Sequence, residues 1–400
     1  MEALVFWLNS PSIHQAPLLR AAAALWPGEV VAVAEADISS ARKSQGWQRP
    51  DFAPARLVVE PSRAQRRELV RQYATAGSVH IFSGLHAYPE TARALRQVSR
   101  SEALLGVFAE PARHNDGLKA LLRRLRYAAL ALRWRRRLDF LLATGELGVR
   151  WYTGQGFPAE RAYPFGYFVA NDRAKDSRQD LDDPWAGEPG ETKLLFVGQL
   201  IPRKGVDLLL HALARLSSRA WRLCFVGQGT DSERLTTLAD DLGLAARVHW
   251  QGSLPNDAVR AWMAEADTLI LPSRYDGWGA VVNEALALGT PVVVSDACGA
   301  ADLVGDPRRG RVFQAGSVDS LCEALQDVLD SPGLSAQRRA AIRNWALGAI
   351  APEAAARYLL AIIAHVQARG ARPVAPWRGV PSPTPLAAGD EVLVRREGRE

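Results

Sequence analysis

The stretch DTLILPSRYDGWGAVVNEALALGTPVVVSD, from Asp267 to Asp296, contains the pattern that decides the fold. DTLILPS is typical of a buried strand, RYDGWG of a turn, and AVVNEALALG of a helix that ends at Gly289 before a second apolar strand, TPVVVSD. A strand, a helix and a strand in this order predict a parallel βαβ unit. Its turn places Asp276 at the carboxyl edge of the sheet, where doubly wound sheets bind ligands.

The same alternation of short apolar runs and helical patterns extends in both directions. The first half predicts strands at ALVFWL, VVAVAEA, ARLVVE, VHIFSG, ALLGVFAE and DFLLATG. The second half adds strands at KLLFVGQL, WRLCFVGQG and ARVHWQG. Between these halves the segment ANDRAKDSRQDLDDPWAGEPGE is polar, charged and interrupted by Pro and Gly, as domain linkers are.

We therefore predict an α/β chain with two doubly wound, Rossmann-like domains that face a central cleft. The predicted boundaries are a first domain at 1–169, a linker at 170–192, a second domain at 193–345, a C-terminal helix at 346–369 that can pack back on the first domain, and a flexible tail at 370–400 rich in Pro, Gly and Arg.

Composition limits the classes of protein to consider. The chain has 400 residues, 48% of them hydrophobic, which is enough to bury a large core in each of two domains. Cys224, Cys298 and Cys322 are far apart and have no metal-like spacing with the histidines, which favours a reducing cytosol and argues against structural zinc. The N-terminus begins with an acid and a short apolar run, so it predicts a first strand rather than a signal peptide. No run approaches the roughly 18 apolar residues of a membrane span.

Two glycine-bearing turns of the second half follow predicted strands. In LLFVGQLIPRKGVDLLL the strand ends near Gly198, and Lys204 precedes a helix start, where a phosphate would gain a charge-assisted partner. The alternative is a solvent-exposed basic turn. In LCFVGQGTDSERL, Gly227 and Gly229 either allow a ligand close to the backbone or allow only a tight turn.

Asp276 and Glu284 are the acids of the opening stretch. Glu284, about two turns into the predicted helix, would face the same crevice and could accept hydrogen bonds from both hydroxyls of a ribose, while Asp276 faces a sugar. The alternative is an acid stabilised by the helix dipole and an ordinary helical glutamate. That alternative leaves the pairing of the two acids with Gly277 and Gly279 in one loop unexplained.

Taken in order and spacing, LFVGQLIPRKGVDLLL, FVGQG, VHWQGSLP, ADTLILPSRYDGWGAVVNEALALGTPVVVSD and CGAADLV resemble the nucleotide-sugar half of GT-B-fold glycosyltransferases of family 4. The resemblance covers roughly Lys193 to Phe313. It implies that Lys204 binds the donor diphosphate and that Glu284 binds the donor ribose. The other residues that it implies are Arg203, Gln199, Ala280 and Val281 near the diphosphate, and Asp276, Gly277, Trp278 and Gly279 near the transferred sugar.

This chain departs from the family pattern at two positions. The family usually has a glutamate where Asp276 stands, and aspartate is shorter by one methylene. It usually has an arginine where Gln199 stands. In this chain the positive charge that stabilises the diphosphate would therefore come from Lys204 and Arg203. The resemblance further implies retention of anomeric configuration without a covalent nucleophile, unlike retaining glycosidases. We expect no cofactor and no metal, because the acidic DLDD run at Asp180 to Asp183 falls in the predicted linker.

Candidate acceptor residues are fewer in the first half. Asn9, Ser10, His14 and Gln15 follow the first strand and would lie at the carboxyl edge. Glu110 ends the strand ALLGVFAE, where many family members have a catalytic-site histidine, and it could orient an acceptor hydroxyl or the sugar. We assign Glu110, His14 and Asp276 as candidate catalytic residues. His114 and His86 are alternative candidates.

A basic segment, ARHNDGLKALLRRLRYAALALRWRRRLD, suggests a contact with a membrane. Leucines, a tyrosine and Trp134 are interleaved with arginines at 123, 124, 126, 133, 135, 136 and 137. Such a helix can lie on an anionic membrane, each cation contributing about 1 kcal/mol near the surface. The alternatives are a solvated basic helix or a nucleic-acid contact, and no RNA-binding motif supports the latter.

The sequence therefore predicts a cytoplasmic enzyme, also found at the inner face of the membrane, that transfers sugar from a nucleotide-sugar to a glycan or lipid-linked acceptor in surface polysaccharide or glycolipid synthesis. Two alternatives are a non-catalytic nucleotide-sugar-binding scaffold and a nucleotide-sugar epimerase on the same fold. Fold alone does not decide among them.

Overall fold

The computed structural model describes residues 2–39, 48–112, 117–169, 185, 190–331, 333–368 and 370–379. Most of the predicted linker at 170–192, most of the predicted tail at 370–400 and His114 lie outside these residues.

Two all-parallel sheets form the framework, as the alternation of strands and helices predicts. The first sheet has the order β3-β2-β1-β4-β5-β6-β7, built from β1 (Ala3–Leu8), β2 (Glu29–Ala34), β3 (Arg56–Val59), β4 (Val79–Ser83), β5 (Leu104–Ala109), β6 (Phe140–Thr144) and β7 (Ala162–Phe165). The second sheet has the order β10-β9-β8-β11-β12-β13, built from β8 (Thr192–Val197), β9 (Trp221–Val226), β10 (Val248–Gly252), β11 (Thr268–Leu271), β12 (Val292–Ser295) and β13 (Gly310–Phe313).

Helices cover both faces of each sheet. They are α1 (Ala16–Leu25), α2 (Arg63–Tyr73), α3 (Pro89–Val98), α4 (Leu118–Trp134), α5 (Gly145–Thr153), α6 (Val206–Arg215), α7 (Ser232–Asp241), α8 (Asn256–Glu265), α9 (Ala280–Ala287), α10 (Val318–Asp330), α11 (Ala336–Ala349), α12 (Pro352–Ala368) and the short α13 (Pro376–Gly379). The fold is thus α/β with two Rossmann-like domains, and the prediction of fold class is confirmed.

Two strands, β7 and β13, were not predicted from the sequence. Both lie at an edge of their sheet, and both are four residues long. Pro164 interrupts the apolar run in β7, and Arg311 interrupts it in β13. Edge strands tolerate proline and charge because one side has no strand partner, and the same tolerance weakens their sequence signal.

One hydrophobic cluster joins the two domains. It contains Phe6 and Phe165 from the first sheet together with Leu271 and Val294 from the second. Helix α12 belongs to this cluster and packs against α1 of the first domain. The predicted single helix at 346–369 is two elements in the structure, since α11 ends at Ala349 and Pro352 begins α12.

The stretch Ala336–Ala368 alters one expectation from the sequence. By length and mean hydropathy, 1.5 over an 18-residue window, it could cross a membrane, contrary to the prediction that no run is apolar enough. However, 67% of that window is buried inside the protein. Leu359, Ile362 and Ile363 of α12 are at most 2% exposed, so the apolar residues serve the core.

Direct contacts also cross the domain boundary. The Thr144 hydroxyl, at the end of β6, donates a buried hydrogen bond of 2.7 Å to the carbonyl oxygen of Gly277. The amide of Glu146 donates to a carboxylate oxygen of Asp302 at 2.7 Å. These bonds join the first turn of α5 to the loops that follow β11 and β12, which fixes one end of the interdomain cleft.

Candidate functional site

A cleft of about 1230 Å³ lies between the two domains. Each parallel sheet changes direction of winding at one point, between β1 and β4 in the first and between β8 and β11 in the second. Crevices at such switch points bind ligands in doubly wound sheets. The predicted site residues that line the cleft are His14, Gln199, Arg203, Lys204, Asp276, Gly279, Ala280, Val281 and Glu284.

Lys204 and Asp276 meet at the switch point of the second sheet. Lys204 follows β8, Asp276 follows β11, and these two strands are neighbours. The Lys204 Nζ atom is 2.6 Å from Asp276 Oδ2, and the two side chains are 12% and 13% exposed. The Nη1 atom of Arg203 is 3.6 Å from the same oxygen. Two cations therefore converge on one carboxylate at the cleft wall.

A left-handed glycine places Lys204. The turn Pro202–Lys204 ends at Gly205, whose φ is 66°. A Cβ atom at Gly205 would lie 2.1 Å from the carbonyl oxygen of Pro272, so only glycine fits against the loop after β11. The basic turn is thus packed against the site, which argues against its being only a solvated surface turn.

Gly227 and Gly229 resolve an alternative that the sequence left open. A Cβ atom at Gly227 would lie 1.9 Å from the carbonyl oxygen of Gly198, and one at Gly229 would lie 2.1 Å from that of Leu200. These glycines permit close packing of two backbone segments. Both glycines thus support the loop that carries Gln199, Arg203 and Lys204, and Gln228 between them lines the cleft.

The start of α9 contributes backbone donors to the cleft. Gly279 occupies the N-cap position with φ 89°, and no side chain of the described residues caps this helix end. The residues that follow, Ala280 and Val281, line the cleft. The first amides of a helix have no partner within the helix, and they attract anions together with the helix dipole. The arrangement suits a phosphate or carboxylate.

Glu284 lies about one turn into α9, rather than the two turns expected from the sequence, because the helix begins only at Ala280. Its side chain lines the cleft, and burial raises its pKa to about 7, with Arg260 acting in the opposite direction. A carboxyl group with such a pKa changes charge near neutral pH. When ionised, its two oxygens can accept hydrogen bonds from two vicinal hydroxyls, and when protonated it can also donate one.

Glu110 lies at the end of β5 and outside the residues that line the main cleft. Its carboxylate Oε1 accepts a hydrogen bond of 2.7 Å from the Tyr167 hydroxyl. Burial raises the pKa of Glu110, and the hydrogen bond from Tyr167 opposes that shift. A Cβ atom at Gly277 would lie 2.1 Å from Glu110 Oε2, so the carboxylate of one domain lies against the backbone of the other.

Tyr167 is the functional candidate that sequence reasoning missed. Besides its bond to Glu110, its ring centroid lies 6.2 Å from that of His14. It therefore connects the two candidate residues of the first domain. The available signal was its position two residues after β7, but β7 itself was missed. Arg49, which lines the opposite part of the cleft and pairs with Asp37 at 2.9 Å, was also missed.

Besides Glu110, six predicted candidates are absent from the residues that line the cleft. Trp278 is 2% exposed, and its indole donates to Asn283 at 2.8 Å, so its side chain is a core element and not a sugar contact. It packs against Gly166, where a Cβ atom would lie 2.4 Å from the indole. His86 lies near α4, with its ring 5.3 Å from that of Tyr127. Ser10 and Gln15 are buried away from the cleft lining.

Asn9 donates a hydrogen bond of 3.3 Å to the Tyr88 hydroxyl and is likewise absent from the cleft lining. Gly277 contributes its backbone to the domain contact with Thr144 rather than to the cleft wall. Across the described ranges, no three His, Cys, Asp or Glu side chains lie together as metal ligands would.

Residues 177–345 match the family model of glycosyl transferases group 1. A GDP-mannose-dependent alpha-(1-6)-phosphatidylinositol monomannoside mannosyltransferase of Mycolicibacterium smegmatis is 36% identical over 163 residues, which cover 38% of this chain and 43% of that protein. An alpha-D-kanosaminyltransferase of Streptomyces kanamyceticus is 29% identical, with 44% of this chain and 47% of that protein covered. The match thus spans less than half the length of these relatives.

Solved structures resemble the whole two-domain arrangement. A crystal structure of HepE from Anabaena in complex with UDP has a TM-score of 0.66 at 17% identity. The match covers 91% of this chain and 100% of that one. WaaG, a glycosyltransferase involved in lipopolysaccharide biosynthesis, has a TM-score of 0.56 at 22% identity, covering 88% of this chain and 98% of that one. At these identities the similarity concerns the fold. The chain thus has the two-domain fold of these glycosyltransferase structures, and its residues 177–345 match the glycosyl transferases group 1 model.

Proposed function

We propose that this protein is a retaining glycosyltransferase that moves a sugar from a nucleoside-diphosphate sugar to a glycan or lipid-linked acceptor. The observation that carries the proposal is the convergence of Lys204, Arg203 and the uncapped start of α9 at the switch point of the second sheet. Glu284 lies on the same cleft. A diphosphate at the cations and helix amides would bring the ribose towards Glu284 and the sugar towards the interdomain boundary.

The ion pair between Lys204 and Asp276 would be exchanged for new contacts when the donor binds. A diphosphate carries more charge than one carboxylate, so it would draw the Nζ group of Lys204 towards itself. Asp276 would then be available to a sugar hydroxyl. Such prearranged cations stabilise the charge that develops on a leaving group.

The reaction is a front-face displacement. The bond from the anomeric carbon to the phosphate oxygen breaks, and its electron pair remains on that oxygen. The acceptor hydroxyl oxygen forms the new bond to the same face of the anomeric carbon. Its proton passes to the departing phosphate oxygen. Lys204, Arg203 and the α9 amides hold the leaving group, while Glu110, held by Tyr167, orients the acceptor or sugar from the other domain. This scheme needs neither a cofactor nor a metal.

The acceptor is proposed to be reached at an anionic membrane surface, on the cytoplasmic side. The apolar face of α4 points outward, with Leu118, Leu121, Leu122, Leu125 and Leu132 between 53% and 72% exposed. Tyr127 and Trp134 of the same segment pack against the core instead. Arginines lie between and after these leucines along the chain, at 123, 124, 126, 133, 135, 136 and 137. Apolar side chains between cations suit the headgroup region of anionic lipids.

Surface polysaccharide or glycolipid synthesis is the proposed setting. The mannosyltransferase of Mycolicibacterium smegmatis acts by its name on a phosphatidylinositol monomannoside, and WaaG takes part in lipopolysaccharide biosynthesis. The first name joins a GDP-mannose donor with a lipid acceptor, and the second names the synthesis of a lipid-bearing glycan. The exposed leucine face of α4 in this chain agrees with an acceptor of that kind.

The test is a screen of UDP-, GDP-, ADP- and dTDP-sugars for thermal stabilisation of the protein and slow release of free sugar, with and without EDTA. We expect one base to stabilise the fold and to release sugar that keeps its anomeric configuration, unaffected by EDTA. Stabilisation without release, even with lipid acceptors present, would point to a non-catalytic binding protein. Loss of release with EDTA would contradict the metal-free scheme.

A further inference from the structure

A second cationic site lies on the first domain, between α2 and α3. The hollow has a volume of about 320 Å³, and it is lined by Arg63, Arg66, Arg67, Arg93, Arg96 and Arg100, with Glu90 as the one carboxylate among the described lining residues. None of these residues lines the interdomain cleft. The spacing explains the convergence, because side chains three or four positions apart share one helix face.

The charge in this hollow is only partly balanced. Arg66 and Arg93 both pair with Glu90. Arg66 also donates to the carbonyl oxygen of Pro61 at 2.8 Å, and burial lowers its pKa. No carboxylate within the described ranges lies at ion-pair distance from Arg63, Arg67, Arg96 or Arg100. Four exposed guanidinium groups therefore line the hollow with no carboxylate partner among the described residues.

The chemistry of these groups selects the ligand class. A guanidinium presents parallel N–H donors that match two oxygens of a phosphate. Several such groups around one hollow would overcome their mutual repulsion by binding a group of high negative charge density. A carboxylate carries too little charge to balance four free arginines, whereas a phosphomonoester or pyrophosphate carries more.

A groove of about 270 Å³ continues from the hollow towards α4. Arg93 and Arg96 line both spaces, and the groove is also lined by apolar Leu85, Leu130 and Trp134 together with His86 and Arg133. A ligand that joins a phosphate to an apolar portion could occupy both. The groove leads to α4, whose leucines Leu118 and Leu125 are exposed.

We infer that the hollow between α2 and α3 is a second anion site that binds a phosphomonoester or pyrophosphate group. The phosphate can come from a lipid headgroup or from a soluble compound, and the experiment distinguishes the two. The inference concerns the α2–α3 face alone and does not depend on the proposed sugar transfer.

The test compares two triple variants with the same loss of charge. The site variant is Arg67→Gln with Arg96→Gln and Arg100→Gln, all at exposed positions outside any ion pair of the described residues. The control is Arg215→Gln with Arg219→Gln and Arg234→Gln, at exposed ion pairs of the second domain. Both variants also carry Lys204→Ala, so that anion binding in the cleft contributes little. Circular dichroism and thermal melting check that both retain the fold.

Calorimetry with inorganic pyrophosphate measures the soluble arm, and co-sedimentation with phosphatidylcholine vesicles containing phosphatidic acid measures the lipid arm. We expect the site variant to lose about tenfold or more in affinity in at least one arm, and the control to change little. Loss for pyrophosphate with unchanged sedimentation identifies a soluble ligand. Loss in sedimentation identifies a lipid headgroup. Equal losses in both variants, or no measurable binding by the Lys204→Ala parent, would overturn the inference.

Discussion

Lys204 and Asp276 form an ion pair of 2.6 Å although 72 residues separate them in the chain. The pair exists because β8 and β11 are neighbours at the switch point of the second sheet. Because the pair lies in the cleft wall, replacing each partner separately tests the proposed donor site.

Replacement of Lys204 should remove a cation that stabilises the negative charge on the leaving group. We expect Lys204→Ala to lower sugar transfer by about 10² to 10³-fold, the usual effect of deleting one prearranged group that stabilises developing charge. Lys193→Ala, on β8 and outside the cleft lining, is the matched control. Steady-state kinetics with the donor found in the screen gives the measurement, and a wild-type rate for Lys204→Ala would refute the assignment.

Asp276 should act on turnover more than on donor binding. Asp276→Asn keeps the shape but removes the charge that holds Lys204, so Lys204 would be freer to meet the diphosphate. We expect the donor KM to stay equal or to fall while kcat falls about tenfold or more, because the sugar loses a charged hydrogen-bond acceptor. A variant with raised KM and unchanged kcat would show that Asp276 serves only to place the donor.

Glu284 should make stability depend on pH. Burial raises its pKa in the folded protein to about 7, above the roughly 4.3 of an unfolded chain. The folded state thus binds this proton more tightly, and the free energy of unfolding should fall as pH rises from about 4 to about 7, by up to about 3 kcal/mol. Glu284→Gln should remove this part of the pH dependence.

Thermal melting from about pH 4 to about pH 8 measures the effect, because this range covers the unfolded and folded pKa values of Glu284. Glu233→Gln on the exposed surface of α7 controls for the loss of one acid. Identical pH profiles for Glu284→Gln and the wild type would show that Glu284 is not held in the way the structure indicates.

The hydrogen bond from Tyr167 should lower the pKa of Glu110. The Tyr167 hydroxyl donates to Glu110 Oε1 at 2.7 Å and so favours the ionised carboxylate. Tyr167→Phe removes that bond, and the pKa of Glu110 should rise. If ionised Glu110 orients the acceptor or sugar, the acidic limb of the pH–rate profile moves to higher pH, and Glu110→Gln loses that limb. An unmoved limb in Tyr167→Phe would separate Glu110 from the reaction.

The bond between Thr144 and Gly277 should stabilise the observed arrangement of the two domains. Thr144→Val leaves the buried carbonyl of Gly277 without its 2.7 Å partner. We expect a loss of about 1 to 3 kcal/mol in the free energy of unfolding. Thr153→Val, which removes a hydroxyl bond inside α5, is the control. Equal losses in both variants would show that the interdomain bond contributes nothing special.

The leucine face of α4 should carry membrane binding. We expect Leu118→Ser with Leu122→Ser and Leu125→Ser to weaken sedimentation with anionic vesicles by about tenfold or more, because each buried leucine contributes roughly 1.5 kcal/mol or more. Leu25→Ser with Leu347→Ser and Val374→Ser, at other exposed apolar positions, is the control. Unchanged sedimentation of the α4 variant would exclude this face as the membrane contact.

Local patterns were sufficient to predict much of this protein. The apolar runs predicted the central strands and the two-domain α/β fold, because central parallel strands are buried on both faces and read as continuous apolar stretches. The spacing of glycines and acids around Asp276 and Lys204 indicated which loops line the cleft, because loops that follow parallel strands meet at one edge.

Tertiary packing decided what a local pattern cannot contain. The edge strands β7 and β13 gain their stability from one neighbouring strand and not from their own sequence, so they were missed. Trp278 looked like a ligand contact in its loop, yet Gly166 of the other domain covers it. Tyr167 meets Glu110 only because β5 and β7 flank β6 in the same sheet. Contacts between distant segments are set by the packing of the whole fold, and residue spacing along the chain does not encode them.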